Sequence, residues 1–361
     1  MMRAIGEMLY QDPEQHTFIN FITRYLGKGW GYFSVWSYWL SVVFIGMAEI
    51  TAIAHYVQFW FPSWPSWLIQ VVFLTILGLV NLIAVKIFGE VEFWFAMIKI
   101  VAILAMIATG IFMVLTGFET PYGSASLVNI SKQFSLFPNG GMNFVMAFQM
   151  VFFAYLMIEF IGVTTSETKD PRKVLPKAVK EIPLRIIFFY GGALLAIMSI
   201  IPWRELSATD SPFVTVFELV GLKWAAALIN FVVLTSAASA LNSTLYSTGR
   251  HLYQIAHDSP NRFLKAIKAD TLSRHNVPQN AIIASAVLIG FEAFINVLPG
   301  ASDAFALITA SSSGVYIAIY ILIMVAHLKY RKSKDFMADG YLMPQYRLLN
   351  PLTMLFFIFV F

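Results

Sequence analysis

The sequence predicts an all-α polytopic membrane protein, and three observations predict it. The 361 residues are 58% hydrophobic and only 12% charged, with a mean hydropathy of +0.71; a soluble domain carries about 25% charged residues. Eight apolar stretches reach the ~20 residues that a helix needs to cross the hydrocarbon core. The basic residues then alternate between the loops that join those stretches. Of the 24 Lys and Arg, twenty lie before the first stretch and after the second, fourth, sixth and eighth. Lys132, Arg204 and Lys223 lie in the alternate loops, and Lys99 lies within a stretch. The positive-inside rule assigns the first set of loops to the cytoplasm. The alternation holds across all eight stretches, which supports their count independently.

The stretches run over about residues 31–59, 66–86, 94–117, 143–166, 184–201, 223–249, 280–298 and 304–327, and a partial ninth covers 350–361. The opening "MMRAIGEML" resembles the exit of a helix whose body is missing, so the chain reads as cut at both ends. In "DPEQHTFINFITRYLG", Phe18, Phe21, Ile22, Tyr25 and Leu26 share one helical face, as in a helix lying at the membrane interface. "SPFVTVFELVG" reads as a short external helix, started by Ser211 and Pro212 and stopped by Gly221. No low-complexity tract or soluble module interrupts the pattern, so residues 1–361 read as a single membrane domain.

Composition also excludes several functions. The absence of cysteine removes disulfides, thiolate metal sites and cysteine nucleophiles. The six histidines show no metal-ligand spacing. A net charge of +4 and a pI near 9.1 do not indicate nucleic acid, because the basic residues are dispersed between apolar runs. No G-x-x-x-x-G-K-[ST], G-x-S-x-G or H-E-x-x-H occurs, so the sequence supports neither ATP-driven work nor an intramembrane enzyme, and it implies no cofactor.

Against that background, polar groups at mid-membrane depth stand out. In "FFAYLMIEFIGVTTSETKDP" Glu159 lies seven residues into an otherwise lipid-compatible run. A carboxylate at the bilayer centre costs about 2.5–3.5 kcal/mol even on lenient scales, so it must face a cavity or a partner. Glu49 and Lys99 raise the same question. For Lys99 there is a simple answer: it is five positions beyond Trp94, within snorkelling reach of the cytoplasmic interface. Thr235, Ser239, Ser243 and Ser247 form a hydroxyl stripe with Asn242 beside it; small hydroxylated residues also let membrane helices pack closely. Thr309 and Ser312 admit the same packing reading. Gly140–Gly141 reads as a loop and Gly191–Gly192 as a close-packing position. Glu90, Glu92, Glu167, Lys169, Asp170 and Arg172 sit near cytoplasmic ends, where some pairs would hold an inner gate and most would simply be solvated.

At "VKIFGEVEFWFAMIKIVAI", "FIGVTTSETKDPRKVLPKA" and "INFVVLTSAASALNSTLYSTGR" the sequence resembles bacterial amino acid permeases of the amino acid transporter family, within the amino acid–polyamine–organocation superfamily. The likeness extends through nearly the whole chain, including "GMAEITAIAHYVQFWFP", and the "EIPLRI" and "LTSAAS" wording looks most like D-alanine/D-serine/glycine permeases. The resemblance implies a five-plus-five inverted-repeat fold, here partial, with the eight stretches matching family helices 3 to 10. Family helix 1, whose glycine-rich break normally holds the substrate carboxylate, and most of helix 2 would be missing.

The same resemblance implies the site. A helix break would fall at Phe153, Ala154, Tyr155 and Leu156, whose carbonyls would accept the substrate ammonium while Phe153 or Tyr155 capped the pocket. Many relatives carry glycine where this chain has Met157, a departure that leaves a more regular helix open. Glu159 would either bind substrate directly or hold helices together. Gly46 and Glu49 would share the substrate-facing side of family helix 3, with a buried interhelical hydrogen bond as the alternative role of Glu49. Lys99 would occupy the position that sodium-coupled cousins give to sodium and would carry the coupling proton, with Ser236 and Ser239 as neighbours. The function implied is proton-coupled uptake of glycine, alanine, serine or their D-isomers by a multi-pass plasma-membrane protein, with a zwitterion, protons and lipid as partners. Aromatic or basic amino acids, or a non-transporting fragment, are the alternatives.

Overall fold

A computed structural model describes residues 1–15, 17–83, 88–132, 134–159, 170–206, 211–221, 223–258, 261–273, 277–295 and 304–361. Helices carry nearly all of the regular structure there, because long apolar runs in lipid can satisfy their backbone groups only internally. In chain order they are α1 (Met2–Gln11), α2 (Ile19–Leu26), α3 (Lys28–Gln58), α4 (Ser66–Ile83), α5 (Phe88–Thr116), α6 (Val128–Lys132) and α7 (Gly141–Phe153). They continue with α8 (Pro171–Ile200), α9 (Pro212–Leu219), α10 (Lys223–Asp258), α11 (Arg262–Ala266), α12 (Gln279–Ile295), α13 (Ala304–Tyr330) and α14 (Tyr346–Val360). One two-stranded antiparallel ribbon, β1 (Glu119–Thr120) with β2 (Gly123–Ser124), turns between α5 and α6.

Among the described residues five helices are long and apolar enough to cross a bilayer: α3, and residues Ala96–Thr116, Pro171–Ile200, Trp224–His257 and Ala306–Tyr330. The 31 residues of α3 extend about 46 Å, well beyond a ~30 Å hydrocarbon layer. Leu115, Leu184, Ile187, Trp224 and Val287 are each at least 66% exposed, a cost in water that disappears against acyl chains.

Two expectations need correcting. The stretch expected at 184–201 is the second half of a helix that starts at Pro171. Its first turns are charged, yet Leu175, Val179 and Ile182 are buried at helical spacing. Pro171 opens the helix where no backbone donor is needed, and one wide π-turn at Ile187–Gly191 follows Pro183. The apolar face of α2, expected to lie on the membrane interface, is packed into protein instead. Phe18, Phe21 and Ile22 are at most 2% exposed within a core that also takes Ile5, Met8, Tyr38 and Tyr320. Gly27, with φ +99°, supplies the turn between α2 and α3, a backbone conformation that costs glycine nothing.

The chain packs as two compact units. The first comprises Met1–Ile45, Asn139–Leu184 and Ala306–Phe361; the second comprises Gly46–Pro138 and Arg185–Phe305. Helices α3 and α8 therefore contribute to both. In the first unit the segment after α13 is fastened to α1 by a buried charge cluster. Glu7, 1% exposed, pairs with Arg331 at 2.5 Å and 2.6 Å and accepts the Met343 N–H at 2.7 Å. Asn350 Nδ2 donates to the Met324 carbonyl at 3.1 Å and bonds His327 Nδ1 at 2.9 Å. His327 Nε2 lies 3.2 Å from Glu7 Oε2. The Arg331 guanidinium lies over the rings of Tyr346 and Phe336 at 4.1 and 4.9 Å. Burial alone would raise the Glu7 carboxyl, but hydrogen bonds from His327, Met343 and Arg331 hold it below its ordinary value of 4.5.

In the second unit α10 packs against α4, α5, α9 and α12. Alanines 102, 193, 196, 225 and 226 with Met106 and Phe217 form one of its cores, the small residues letting helix backbones approach. Gly110 marks a close approach of α5 to α8: a Cβ there would fall 2.5 Å from that of Ala196. Gly192 likewise approaches Ile107, whereas Gly191 lies in the π-turn with open space around it.

Candidate functional site

In the first unit one helix stops short. Helix α7 ends at Phe153 after 13 residues, about 20 Å, which is too short to cross the hydrocarbon core. Residues 154–159 continue as turns. The Tyr155 and Leu156 N–H groups bond the carbonyls of Phe152 and Phe153 three residues back, and Met157 adopts φ +65°. A non-glycine residue in that left-handed conformation costs about 1–3 kcal/mol, so the surrounding packing must hold it. Leu156 and Met157 pack against the unit's core, as does Phe153. Of the four carbonyls expected to be freed, that of Phe153 is already engaged by Leu156. Ala154 is exposed, while Phe153, Tyr155 and Leu156 are half-buried.

Glu159 lies at the end of this turn, 1% exposed. Tyr320 donates to its Oε2 at 2.5 Å and Tyr38 to its Oε1 at 3.4 Å. The rings of Tyr38, Tyr316 and Tyr320 meet edge to face at 5.5 and 5.8 Å. Both carboxylate oxygens thus have phenolic donors from α3 and α13, so the side chain ties three segments together. Around it, hydroxyls serve packing. Ser312 donates to the Ser41 carbonyl, Ser313 to the Gln149 carbonyl and Thr309 to that of Ala306.

A second polar set lies in the other unit. Lys99 is twelve residues into α5, about 17 Å from its start, and its Nζ donates to Ser239 Oγ at 3.3 Å. Its ammonium also acts electrostatically on Glu49 of α3. Ser239 is 1% exposed. Ser236 is half-buried one turn earlier and has no hydrogen bond to Lys99 among the described residues. Gly46 has a packing reason of its own, since a Cβ there would lie 2.6 Å from Ile289 Cδ1 and 3.1 Å from Thr244 Cγ2.

Sequence reasoning passed over several of these partners. Glu292 is fully buried on α12 and accepts from Thr51 at 2.9 Å; a lone carboxylate in "AVLIGFEAFINVL" was the available signal. The phenols at Tyr316 and Tyr320, four apart in "YIAIY", were another. Asn81 donates to Asn242 at 2.6 Å, linking α4 to α10 beside the hydroxyl stripe, in which Thr235 bonds back to its own helix. Of the cytoplasmic charges, Arg172 bonds the carbonyls of Tyr10 and Gln11 at the end of α1, and Asp170 forms an exposed pair with Lys173. Glu167 and Lys169 lie outside the described residues, as do the side chains of Glu90 and Glu92.

Apolar helices with lipid-compatible outer faces, a helix that stops after 13 residues and polar side chains gathered inside the protein fit a multi-pass membrane protein. The amino acid permease family matches residues 1–361, and the chain belongs to that family. It is 49% identical over 361 residues to the DL-alanine permease of Lactococcus lactis, covering all of this chain and 78% of the relative. It is 46% identical over 368 residues to the serine permease of the same organism, with 100% and 80% covered. It is 42% identical over 366 residues to the D-serine/D-alanine/glycine transporter of Escherichia coli, with 100% and 77% covered. Membership of this family makes the chain a protein of amino acid transport in the plasma membrane.

Proposed function

We propose that residues 1–361 act as one transport domain for secondary, proton-coupled uptake of small neutral amino acids: glycine, alanine and serine, including D-isomers. The observation that carries the reading is the stop of α7 at Phe153, with Met157 left-handed and Glu159 bound by two tyrosines. Backbone opened at that depth offers carbonyl and amide dipoles to a zwitterion without requiring buried ionised side chains. The printed substrates of the relatives, alanine, serine and glycine, supply the size class. In this reading Glu159 is a positioning residue that holds the turn through Tyr38 and Tyr320. Residues 153–156 contact the substrate, and Tyr155 and Phe153 are its apolar neighbours. Glu49 and Lys99 with Ser239 form the coupling set: an amine bonded to a serine hydroxyl inside the protein can take up and release a proton as its surroundings change.

The test is uptake of radiolabelled alanine by the purified chain in proteoliposomes under an inward proton gradient. Uptake should collapse with a protonophore, be abolished in Lys99→Ala, and be competed by unlabelled glycine and serine. Uptake that is undiminished by both perturbations removes the coupling assignment. Competition by aromatic or basic amino acids in place of glycine and serine removes the substrate class.

A further inference from the structure

The second unit contains a cavity of about 620 Å³ that the break and the coupling set do not use. Its walls are the last turn of α3, from His55 to Gln58, with Phe59 just beyond it, the external helix α9 and Asn230 of α10. By the alternation of basic loops this is the outer side of the membrane. The volume is in the range of small-molecule sites.

Glu218 is the one acid among the lining residues, and His55 and the N-terminal end of α9 at Ser211 are also on the wall. Glu218 supplies a carboxylate at the C-terminal end of α9, exposed and without an ion pair among the described residues. The C-terminal end of α3 supplies a second negative pole, since helix dipoles present partial negative charge there. Asn230 Nδ2 donates to the Tyr56 carbonyl at 2.9 Å, tying α10 to that end of α3 and fixing the wall. Neither lysine nor arginine lines the cavity, while Ser211 and Thr215 add neutral hydrogen-bonding groups. One carboxylate beside the C-terminal end of α3 suits a monovalent ammonium; a divalent cation asks for six or more oxygen ligands or an octahedral shell.

We propose that this outer cavity is a capture site for the ammonium group of a small zwitterionic amino acid, with Glu218 as its charged contact and Asn230, Ser211 and Thr215 as neutral ones. The choice of an amino acid as ligand rests on the function proposed above; the preference for a cation rests on the walls alone.

The absence of cysteine allows a clean test. Thr215→Cys places a single thiol on the cavity wall, to be labelled in proteoliposomes by membrane-impermeant methanethiosulfonates of opposite charge. Relative to a neutral reagent, the cationic one should react roughly fivefold faster and the anionic one roughly fivefold slower, the effect of one unit charge about 4 Å away in water, and Glu218→Gln should bring all three rates together. Alanine should slow labelling, and Glu218→Gln should weaken that protection by a similar factor. Ser211→Cys replaces Thr215→Cys should the latter fold poorly. A charge preference that Glu218→Gln leaves unchanged overturns the site, and a preference without protection by glycine, alanine or serine overturns the ligand. Labelling needs no transport, so a chain that fails to take up alanine still reports on this cavity. Normal uptake without protection sinks the capture site and leaves the transport reading standing.

Discussion

Replacing Glu7 with alanine should destabilise the first unit more than any single loss of an exposed ion pair. Glu7 is 1% exposed, and the Arg331 side chain that it holds is 7% exposed between two aromatic rings. Removing the carboxylate therefore strands a guanidinium that cannot deprotonate and has little access to water. It also leaves the Met343 N–H without its acceptor. Breaking a buried pair from one side costs about 3–5 kcal/mol, against ~0–1 kcal/mol for an exposed pair. Glu7→Gln keeps one carbonyl oxygen for Met343 and should cost about half as much. Glu7→Leu combined with Arg331→Met removes both charges and should recover part of the loss, because no guanidinium is stranded while the Met343 N–H stays without its acceptor. The assay is unfolding by sodium dodecyl sulfate in mixed micelles, followed by helical circular dichroism, for the wild type, both single variants and the double variant. A Glu7→Ala cost below ~1 kcal/mol, or a double variant no better than the sum of its parts, would refute the buried-clamp argument.

The same carboxylate predicts a pH dependence: its pKa is lowered in the folded protein, so its contribution is complete above 4.5 and is lost as pH falls below that value. Unfolding free energy should be flat from pH 7 to 5 and then decline on acidification, with Glu7→Gln removing that carboxylate's share of the slope. At the break, Met157→Gly relieves a left-handed methionine and should change stability by less than ~1 kcal/mol, since lost side-chain packing offsets the relief; Met157→Val puts a β-branched residue there and should cost more than ~1 kcal/mol. Tyr320→Phe takes the shorter of the two hydrogen bonds from Glu159 and should cost about 1–3 kcal/mol, and Tyr38→Phe less, both read in the same unfolding assay.

How far the sequence could be read varied by feature. Crossing helices were legible because transfer of ~20 apolar residues into lipid is a local quantity, settled by the run itself. The first half of α8 was not, since Pro171, Pro176 and a string of charges suggested a loop; the buried Leu175, Val179 and Ile182 were the visible counter-signal. For α2 the apolar face was read correctly as a face, but lipid and protein are equally good at covering Phe21 and Ile22, so periodicity could not choose between them. The position of the helix break came from family likeness, and at Met157 the sequence even argued for continuity.

By itself, then, the sequence determined that this chain is helical, embedded in a membrane, oriented by its basic loops and in need of partners for Glu159 and Lys99. It did not name those partners. Tyr38 and Tyr320 reach Glu159 from 121 and 161 positions away, Ser239 meets Lys99 from 140, and Arg331 finds Glu7 from 324. Hydrogen bonds and ion pairs act over about 3 Å, so which groups come that close is decided only when the helices pack.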